Sequence, residues 1–428
     1  MDHVKSLKCL ICAAEYGPDE IEYVCPKHGD DGIVDIQYDY DLIGRQISPA
    51  MLARNHDPTI WRYRQLLPIR PDSPVPPLTV GGTPLYKADR LAQGLGLKHV
   101  WVKDDGRLPT ASFKDRASAI AVVKGRERGA EIITTASTGN AAAALSGLCA
   151  SVGQKNVIFV PQSAPPAKIA QLLVYGSTVL LVRGTYDDAF ELCLQAAKEF
   201  GWYNRNTGYN PYMSEGKKTA AYEICEQLTT ADLRGLGDLE GLGGWSAPDR
   251  IFVPVGDGCV IGGIHKGLKD LLALGWIDTM PKLTGVQAAG SAALYDAWRT
   301  GISAMEMQPI DAHTIADSIS AGLPRDRIKA LAAVRETGGA YVKVTDDEIL
   351  AAIPALARGS GVFAEPAAAA AYAGLVTAVE LGLVHPDEHI VVLATGNGLK
   401  DIASARKSVG EPFVVEKDLA AVKKALSR

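Results

Sequence analysis

The chain has 428 residues, 22% of them charged, and a formal net charge of -5. That balance leaves no basic footprint for nucleic acid, and no apolar run is long enough to span a bilayer, so a small soluble molecule is the expected partner. The length predicts about two packed domains with an appendage. Met1 to Lys8 lacks the charged segment and apolar stretch of a secretory signal, which makes the cytoplasm the expected compartment.

Read from its start, the chain first places Cys9, Cys12, Cys25 and His28 as C-x2-C, a gap of twelve residues, then C-x2-H. This spacing can bring three thiolates and an imidazole to a tetrahedral zinc, and turns at Gly17-Pro18-Asp19 and Gly29 to Gly32 separate short strand-like runs. A zinc-ribbon-like extension over residues 1–42 is expected, its Zn2+ structural because four protein ligands leave no open position. A metal-free hairpin cap is the alternative. Cys149, Cys193, Cys225 and Cys259 are scattered and form no disulfide framework.

Residues 43–84 read as a linking arm, with Trp61, Tyr63 and a proline-rich stretch from Pro68 to Pro77 that can continue neither helix nor central strand. From Leu85 apolar runs alternate with alanine-rich helical stretches. Strands are expected at His99–Lys103, Glu131–Thr135, Asn156–Val160, Thr178–Val182, Arg250–Pro254, Leu283–Gln287 and His389–Leu393. Helices are expected at 114–128, 140–152, 168–175, 187–200, 215–228 and 261–274. This alternation predicts parallel sheets wrapped by helices, an open, doubly wound α/β architecture. The run Gly235 to Gly244 reads as a surface insertion.

In such sheets ligands gather where strands end and helices begin. Four junctions stand out. In Pro109-Thr-Ala-Ser-Phe-Lys-Asp-Arg116, Ser112 and Asp115 have capping-box spacing, and Lys114 falls in the first helical turn, where the dipole disfavours an ammonium. An uncharged lysine there can attack a carbonyl. Ser137-Thr138-Gly139-Asn140 opens a helix and can be a plain cap or an anion site. Val253 to Gly263 is a strand, a glycine turn and a helix start suited to a phosphate, although it matches neither G-x-G-x-x-G nor a Walker loop. Ala394 to Asp401 is another strand-ending turn, able to present the hydroxyl of Thr395.

The ordered set SFKDR, STGN, strand-glycine-loop-helix and TGNGLKD, with Asn210 to Thr219 and the cysteine-bearing N-terminus, resembles the threonine synthase family of fold type II pyridoxal-phosphate enzymes. The resemblance runs from about Cys9 to Asp401. It implies a pair of α/β domains of tryptophan synthase β type: residues 112–205 as a small mobile domain, and 85–111 with 206–428 as the large one. It implies pyridoxal 5'-phosphate carried by Lys114, which is also the catalytic base, with Asn140 at its 3'-hydroxyl and Thr395 at its ring nitrogen. Gly256, Asp257, Gly258, Cys259 and Val260 would then cradle its phosphate. Ser137, Thr138 and Gly139 would hold the substrate carboxylate, with Asn206 and Lys217 as further substrate contacts. A hydroxyl partner at the ring nitrogen favours elimination and replacement over transamination. A homodimer is expected on the same ground.

The implied reaction converts O-phosphohomoserine and water to threonine and phosphate. Several residues depart from the family pattern: Ala111 and Ala117 where glycine is frequent, Asp257, Cys259 and Val260 in the phosphate turn, and Met213 where an arginine typically binds the substrate phosphate. A thioether makes no charge-assisted hydrogen bond, so Met213 opens a second reading. In it the chain is a paralogue acting at the β-carbon of a smaller amino acid, as a dehydratase, ammonia-lyase or O-phosphoserine-using synthase, unless Arg205, Lys217 or Lys218 compensates. A surface position for those two lysines is the plain alternative, and a cofactor-binding protein without turnover is the third reading.

Overall fold

A computed structural model describes residues 1–137, 139–164, 166–232 and 244–427. The expected insertion at Gly235–Gly244 lies almost entirely outside them. Among the described residues no helix is long and apolar enough to cross a membrane.

The N-terminal segment contributes β1 (Val4–Cys9), β2 (Glu15–Tyr16) and β3 (Val34–Tyr38), which form an antiparallel sheet in the order β2-β1-β3. Its strands bury Leu7, Cys9, Val34 and Ile36 against the remainder of the chain. The arm that follows is well packed too. Short helical turns place Ile60, Tyr63, Leu66 and Leu67 in the core, while the prolines carry the chain between them.

Two sheets carry the α/β body. The larger is built from β4 (Leu85–Lys87), β5 (His99–Asp104), β10 (Arg250–Pro254), β11 (Lys282–Ala288), β12 (Ala340–Val344) and β13 (His389–Ala394). Its order is β12-β11-β10-β13-β5-β4, and only β4 is antiparallel to its neighbour. The smaller sheet contains β6 (Ile132–Ala136), β7 (Lys155–Pro161), β8 (Thr178–Val182) and β9 (Tyr203–Asn204), wholly parallel in the order β8-β7-β6-β9. Parallel strands covered by helices on both faces require continuous apolar runs, which is why β10 and β13 read as unbroken hydrophobic segments. Both are buried along nearly their whole length.

A network of buried charges joins the sheets to the helices. Glu223 accepts hydrogen bonds from Lys103 of β5 at 2.7 Å and from Arg116 at 2.6 and 2.8 Å, while Arg116 also pairs with Asp105 at 2.6 Å. Arg116, Lys103 and Asp105 are fully buried.

Candidate active site

The C-terminal ends of β6, β10 and β13 open on one cavity of about 510 Å³, lined also by Phe113, Lys114 and the residues just after β9. Strand carbonyl ends and helix starts converge there, the usual location for a ligand in an open α/β sheet.

Lys114 is the first residue of helix Lys114–Glu127. The turn before it is stitched to the loop after β13. Phe113 donates its N–H to the Thr395 carbonyl at 2.8 Å, Ser112 bridges Gly396, and Asn397 donates to the Ala111 carbonyl at 3.1 Å. Ala111 takes φ 63°, a left-handed conformation that glycine adopts without strain, so alanine in place of the family's frequent glycine carries some conformational cost. The expected capping box does not form. The helix has no side-chain cap, Ser112 Oγ is buried without a partner, and the Asp115 carboxylate instead accepts from the Thr110 N–H and hydroxyl. Asp115 therefore fixes the turn from inside, and Arg116 belongs to the buried charge network. Of the SFKDR motif only the lysine reaches the cavity with its charge-bearing end. Its amine is held below the ordinary lysine range chiefly by burial, with the Arg205 guanidinium adding repulsion.

At the second junction, Gly139 caps helix Asn140–Ser151 through no side-chain bond, and Ser137 Oγ accepts from the Gly139 N–H at 3.2 Å. Thr138 lies outside the described residues. Asn140 donates to Glu365 at 2.7 Å and to Ser318 at 3.3 Å. Glu365 is the residue that sequence reading missed. Burial pushes its carboxyl up to about 7, and it lies in the cavity wall with Thr395. Its position before Pro366 and a run of alanines reads only as a helix start, without a polar pattern to mark it. Tyr186, Asp317, Ser318 and Arg325 line the cavity and were also unmarked.

The glycine turn has the form expected of a phosphate cradle. Gly258 takes φ 88°, and a Cβ there would come 2.5 Å from that of Ala330, while a Cβ at Gly256 would come 2.8 Å from Ile319 Cα. The first capping bond of helix Cys259–Ala273 runs from Gly262 N–H to Gly258 O, so the N–H groups of Cys259, Val260 and Ile261 have no helical acceptor. Asp257 does not obstruct this. Its Oδ1 is tied to the Arg325 N–H at 3.2 Å, and burial pushes its carboxyl up.

The cationic side chains divide sharply. Lys218 is fully buried in ion pairs with Glu215 at 2.6 Å and Asp270 at 2.8 Å, away from the cavity. Lys217 is equally buried, which corrects the surface alternative for both lysines. Its Nζ approaches Thr207 Oγ1 at 3.5 Å, and burial, with Lys114 and Arg205 nearby, lowers it to about 7. Arg205 lines the cavity. It donates to Ser118 at 3.1 Å and Thr207 at 2.9 Å, leaving Nη2 buried without a partner. Asn206 spends its carbonyl on the Ala136 N–H and the Thr135 hydroxyl, bracing the end of β6. Met213 is fully buried in the core and contributes nothing to the cavity wall, so its lack of charge says little about a ligand there.

These residues fit a group that carries a phosphate and an aldehyde: an amine of lowered basicity, a crowded glycine turn with free N–H groups, and a hydroxyl and an amide between them. Cys9, Cys12, Cys25 and His28 cluster together with ligand atoms within 4.8 Å of one another, and none lines the cavity.

Comparison with known proteins agrees with this geometry. The family described as pyridoxal-phosphate dependent enzyme matches residues 77–396. The chain is 39% identical to the threonine synthase of Methanocaldococcus jannaschii and 40% identical to that of Methanosarcina acetivorans, over 98% of this chain and 98% of each relative. It is 35% identical to the threonine synthase of Mycobacterium leprae over 85% of this chain and 94% of that one. Among solved structures it resembles threonine deaminase isoform 2 of Solanum lycopersicum, with TM-score 0.61 and 24% identity over 76% of this chain and 87% of that one. It also resembles the diaminopropionate ammonia lyase of Escherichia coli, with TM-score 0.63 and 18% identity over 84% of this chain and 91% of that one. These two likenesses concern the fold.

Proposed function

Since the chain belongs to the pyridoxal-phosphate-dependent enzymes and, among them, to the threonine synthase family, we propose that it converts O-phosphohomoserine and water to threonine and phosphate. The observation that carries this reading is Arg205, an enclosed guanidinium in the cavity wall that makes no ion pair among the described residues, with the Lys217 amine close by. Unpaired buried cations are costly, and the cofactor phosphate alone has its own cradle at Gly256 to Val260. A second, strongly anionic ligand offsets the cost. Arg205, with Nη2 free and Nη1 on Thr207, takes the role that Met213 cannot, and Lys217 adds a point charge behind it.

When bound, the cofactor supplies an electron-withdrawing ring that makes the substrate's α- and β-protons removable. The protein supplies the remaining chemistry. Lys114 Nζ, its basicity lowered by burial, accepts protons from carbon and returns them. Arg205 holds the substrate phosphate and neutralises the leaving group as the Cγ–O bond breaks, and Lys217, which is not in the cavity wall, stands behind Thr207. Ser137, Thr138 and Gly139 take the carboxylate at the helix start, and Asn140 orients the ring through its 3'-hydroxyl. In the net reaction phosphate leaves Cγ with a proton from water, Cβ loses a hydrogen and gains the hydroxyl of water, and Cγ gains a hydrogen. Residues 112–205 form the small mobile domain in this reading, 85–111 with 206–428 the large one, 43–84 the arm and 1–42 the extension. Closure excludes water until the addition step. The active form is a cytoplasmic homodimer; the exposed apolar side chains of Phe413, Val414, Leu419 and Leu426 offer a second copy area to cover, and sedimentation checks the stoichiometry.

The test is phosphate release from O-phosphohomoserine. In Arg205→Met the KM is expected to rise about 30- to 5,000-fold through loss of a buried charged partner, with the cofactor's visible absorbance unchanged. Release at the wild-type KM in that variant removes Arg205 from the phosphate site. Absence of release in the wild type, with oxo-acid formed from threonine or serine instead, replaces the proposed reaction with β-elimination.

A further inference from the structure

We propose that Cys9, Cys12, Cys25 and His28 bind one Zn2+ ion, and that the loop this ion closes braces the active-site segment Asn204–Asn206 from outside the cavity.

The four side chains already have the shape of a site. Cys12 Sγ and Cys25 Sγ lie 3.9 Å apart, close to the edge of about 3.8 Å of a tetrahedron with Zn–S bonds of about 2.3 Å. All three cysteines are free thiols, and the separation is far beyond a disulfide bond. His28 Nε2 is buried and has no hydrogen-bond partner, an orphan that metal coordination would satisfy.

The two ligand turns have in common a residue at positive φ, while the N–H that closes each returns from four residues on in the first and from three in the second. Cys9 to Cys12 is followed by Ala13 at φ 57°, and Cys25 to His28 by Gly29 at φ 56°. Within each turn a backbone N–H returns to the first cysteine: Ala13 N–H to Cys9 O at 3.0 Å, and His28 N–H to Cys25 O at 3.1 Å. Holding a non-glycine residue such as Ala13 at positive φ is costly unless the surroundings demand it, and a ligand turn is such a demand. The Ile11 N–H points at Cys9 Sγ at 3.4 Å, and Tyr16 Oη lies 3.0 Å from Cys25 Sγ. These donors would support thiolates once the metal has displaced their protons. Three thiolates and a neutral imidazole select a borderline-soft ion such as Zn2+ over Mg2+ or Ca2+, and the resulting centre carries a single negative charge. With four protein ligands, its role is structural.

The loop between Cys12 and Cys25 has little regular structure beyond the two residues of β2, yet it carries Tyr23 into the catalytic body. Tyr23 packs on Tyr203 and Tyr209, with ring centroids 5.8 and 5.2 Å away, and its hydroxyl accepts the Asn204 N–H at 2.9 Å. Asn204 ends β9, and the next two residues, Arg205 and Asn206, are in the cavity wall. A second tether follows the other ligand turn, where Asp31 pairs with Arg327 at 2.8 Å. The metal thus closes a loop whose tyrosine sets the position of the strand end carrying Arg205, and Tyr23 is a positioning residue.

Two measurements on the purified holoenzyme test this. Elemental analysis after dialysis against metal-free buffer should give about one zinc per chain, lost in Cys12→Ser, whose side chain is exposed and whose fold should survive. A wild type without zinc, even after Zn2+ is added under reducing conditions, overturns the site, as does a Cys12→Ser protein that keeps its metal. Tyr23→Phe should retain zinc and show a KM for O-phosphohomoserine raised roughly tenfold, with kcat within about twofold, because the Asn204 N–H loses its acceptor. An unchanged KM removes the bracing role. The metal content is read without turnover, so it stands or falls separately from the proposed reaction.

Discussion

Glu365 is the residue whose charge state depends most directly on the cavity. Its carboxyl is pushed up to about 7 from an ordinary 4.5, by burial first and by Asp317 among its neighbours, against the opposing pull of Lys400, Lys168 and the bond from Asn140. For an acid raised in the folded state, the stabilising contribution is complete below pH 4.5 and is lost as the pH climbs through 7, because folding then holds a proton that the solvent no longer favours. The loss amounts to about 3 kcal/mol. Glu365→Gln keeps an acceptor for Asn140 and does not titrate. In urea unfolding of the cofactor-free protein it should be more stable than the wild type by about that amount near pH ~8, with the gap closing by about pH 5. A gap independent of pH would show that the carboxyl is solvated. Arg205 illustrates the same scale from the opposite sign: its hydrogen-bond partners are the hydroxyls of Ser118 and Thr207, and no carboxylate pairs with it among the described residues.

At the scale of elements, the strands before Ser137, Gly256 and Thr395 are each followed by small, turn-forming residues, and each opens on the cavity. That is why this part of the site was legible in the sequence. The parallel strands themselves were readable because burial on both faces demands unbroken apolar runs. Thus β8 and β10 fall where the sequence predicts, and β5, β6, β7, β11 and β13 differ by a residue or two at their ends. The misses have physical reasons. β9 is two residues long, β4 three, and β12 has only the weak signal Ala-Tyr-Val-Lys-Val. The single helix expected over 215–228 is instead two, Tyr212–Lys217 and Thr219–Asp232, and this break lets Lys217 and Lys218 point to different surroundings. Spacing marked Ser112 and Asp115 as a cap, but the Asp115 carboxylate instead accepts from Thr110, five residues earlier in the same turn. At the glycine turn after β10 the expected strand, turn and helix start are present, and its proposed hold on the phosphate is testable. Gly258→Ala forces a side chain into φ 88° and against Ala330. Cofactor affinity should fall at least about tenfold and stability by about 1–3 kcal/mol, read by absorbance titration and thermal unfolding. Wild-type affinity in this variant would show that the turn does not hold the phosphate.

For the molecule as a whole, Glu223 is the joint. It receives Lys103 from the large sheet and Arg116 from the helix that begins with Lys114, and these positive neighbours hold its carboxyl well below the usual carboxylate range despite burial. Removing one member of a buried ionic group strands the others, which costs about 3–5 kcal/mol. Glu223→Ala should therefore lower the unfolding free energy measured in urea by that much, and a change under about 1 kcal/mol would mean that water or relaxation replaces the carboxylate.

The backbone stitching of Phe113 to Thr395 and of Ala111 to Asn397 also dictates when the protein can first become active. During synthesis Lys114 emerges well before the strand end to which its turn is stitched. Until β13 and the loop after it have been made, the amine has no completed pocket, so cofactor loading follows their synthesis.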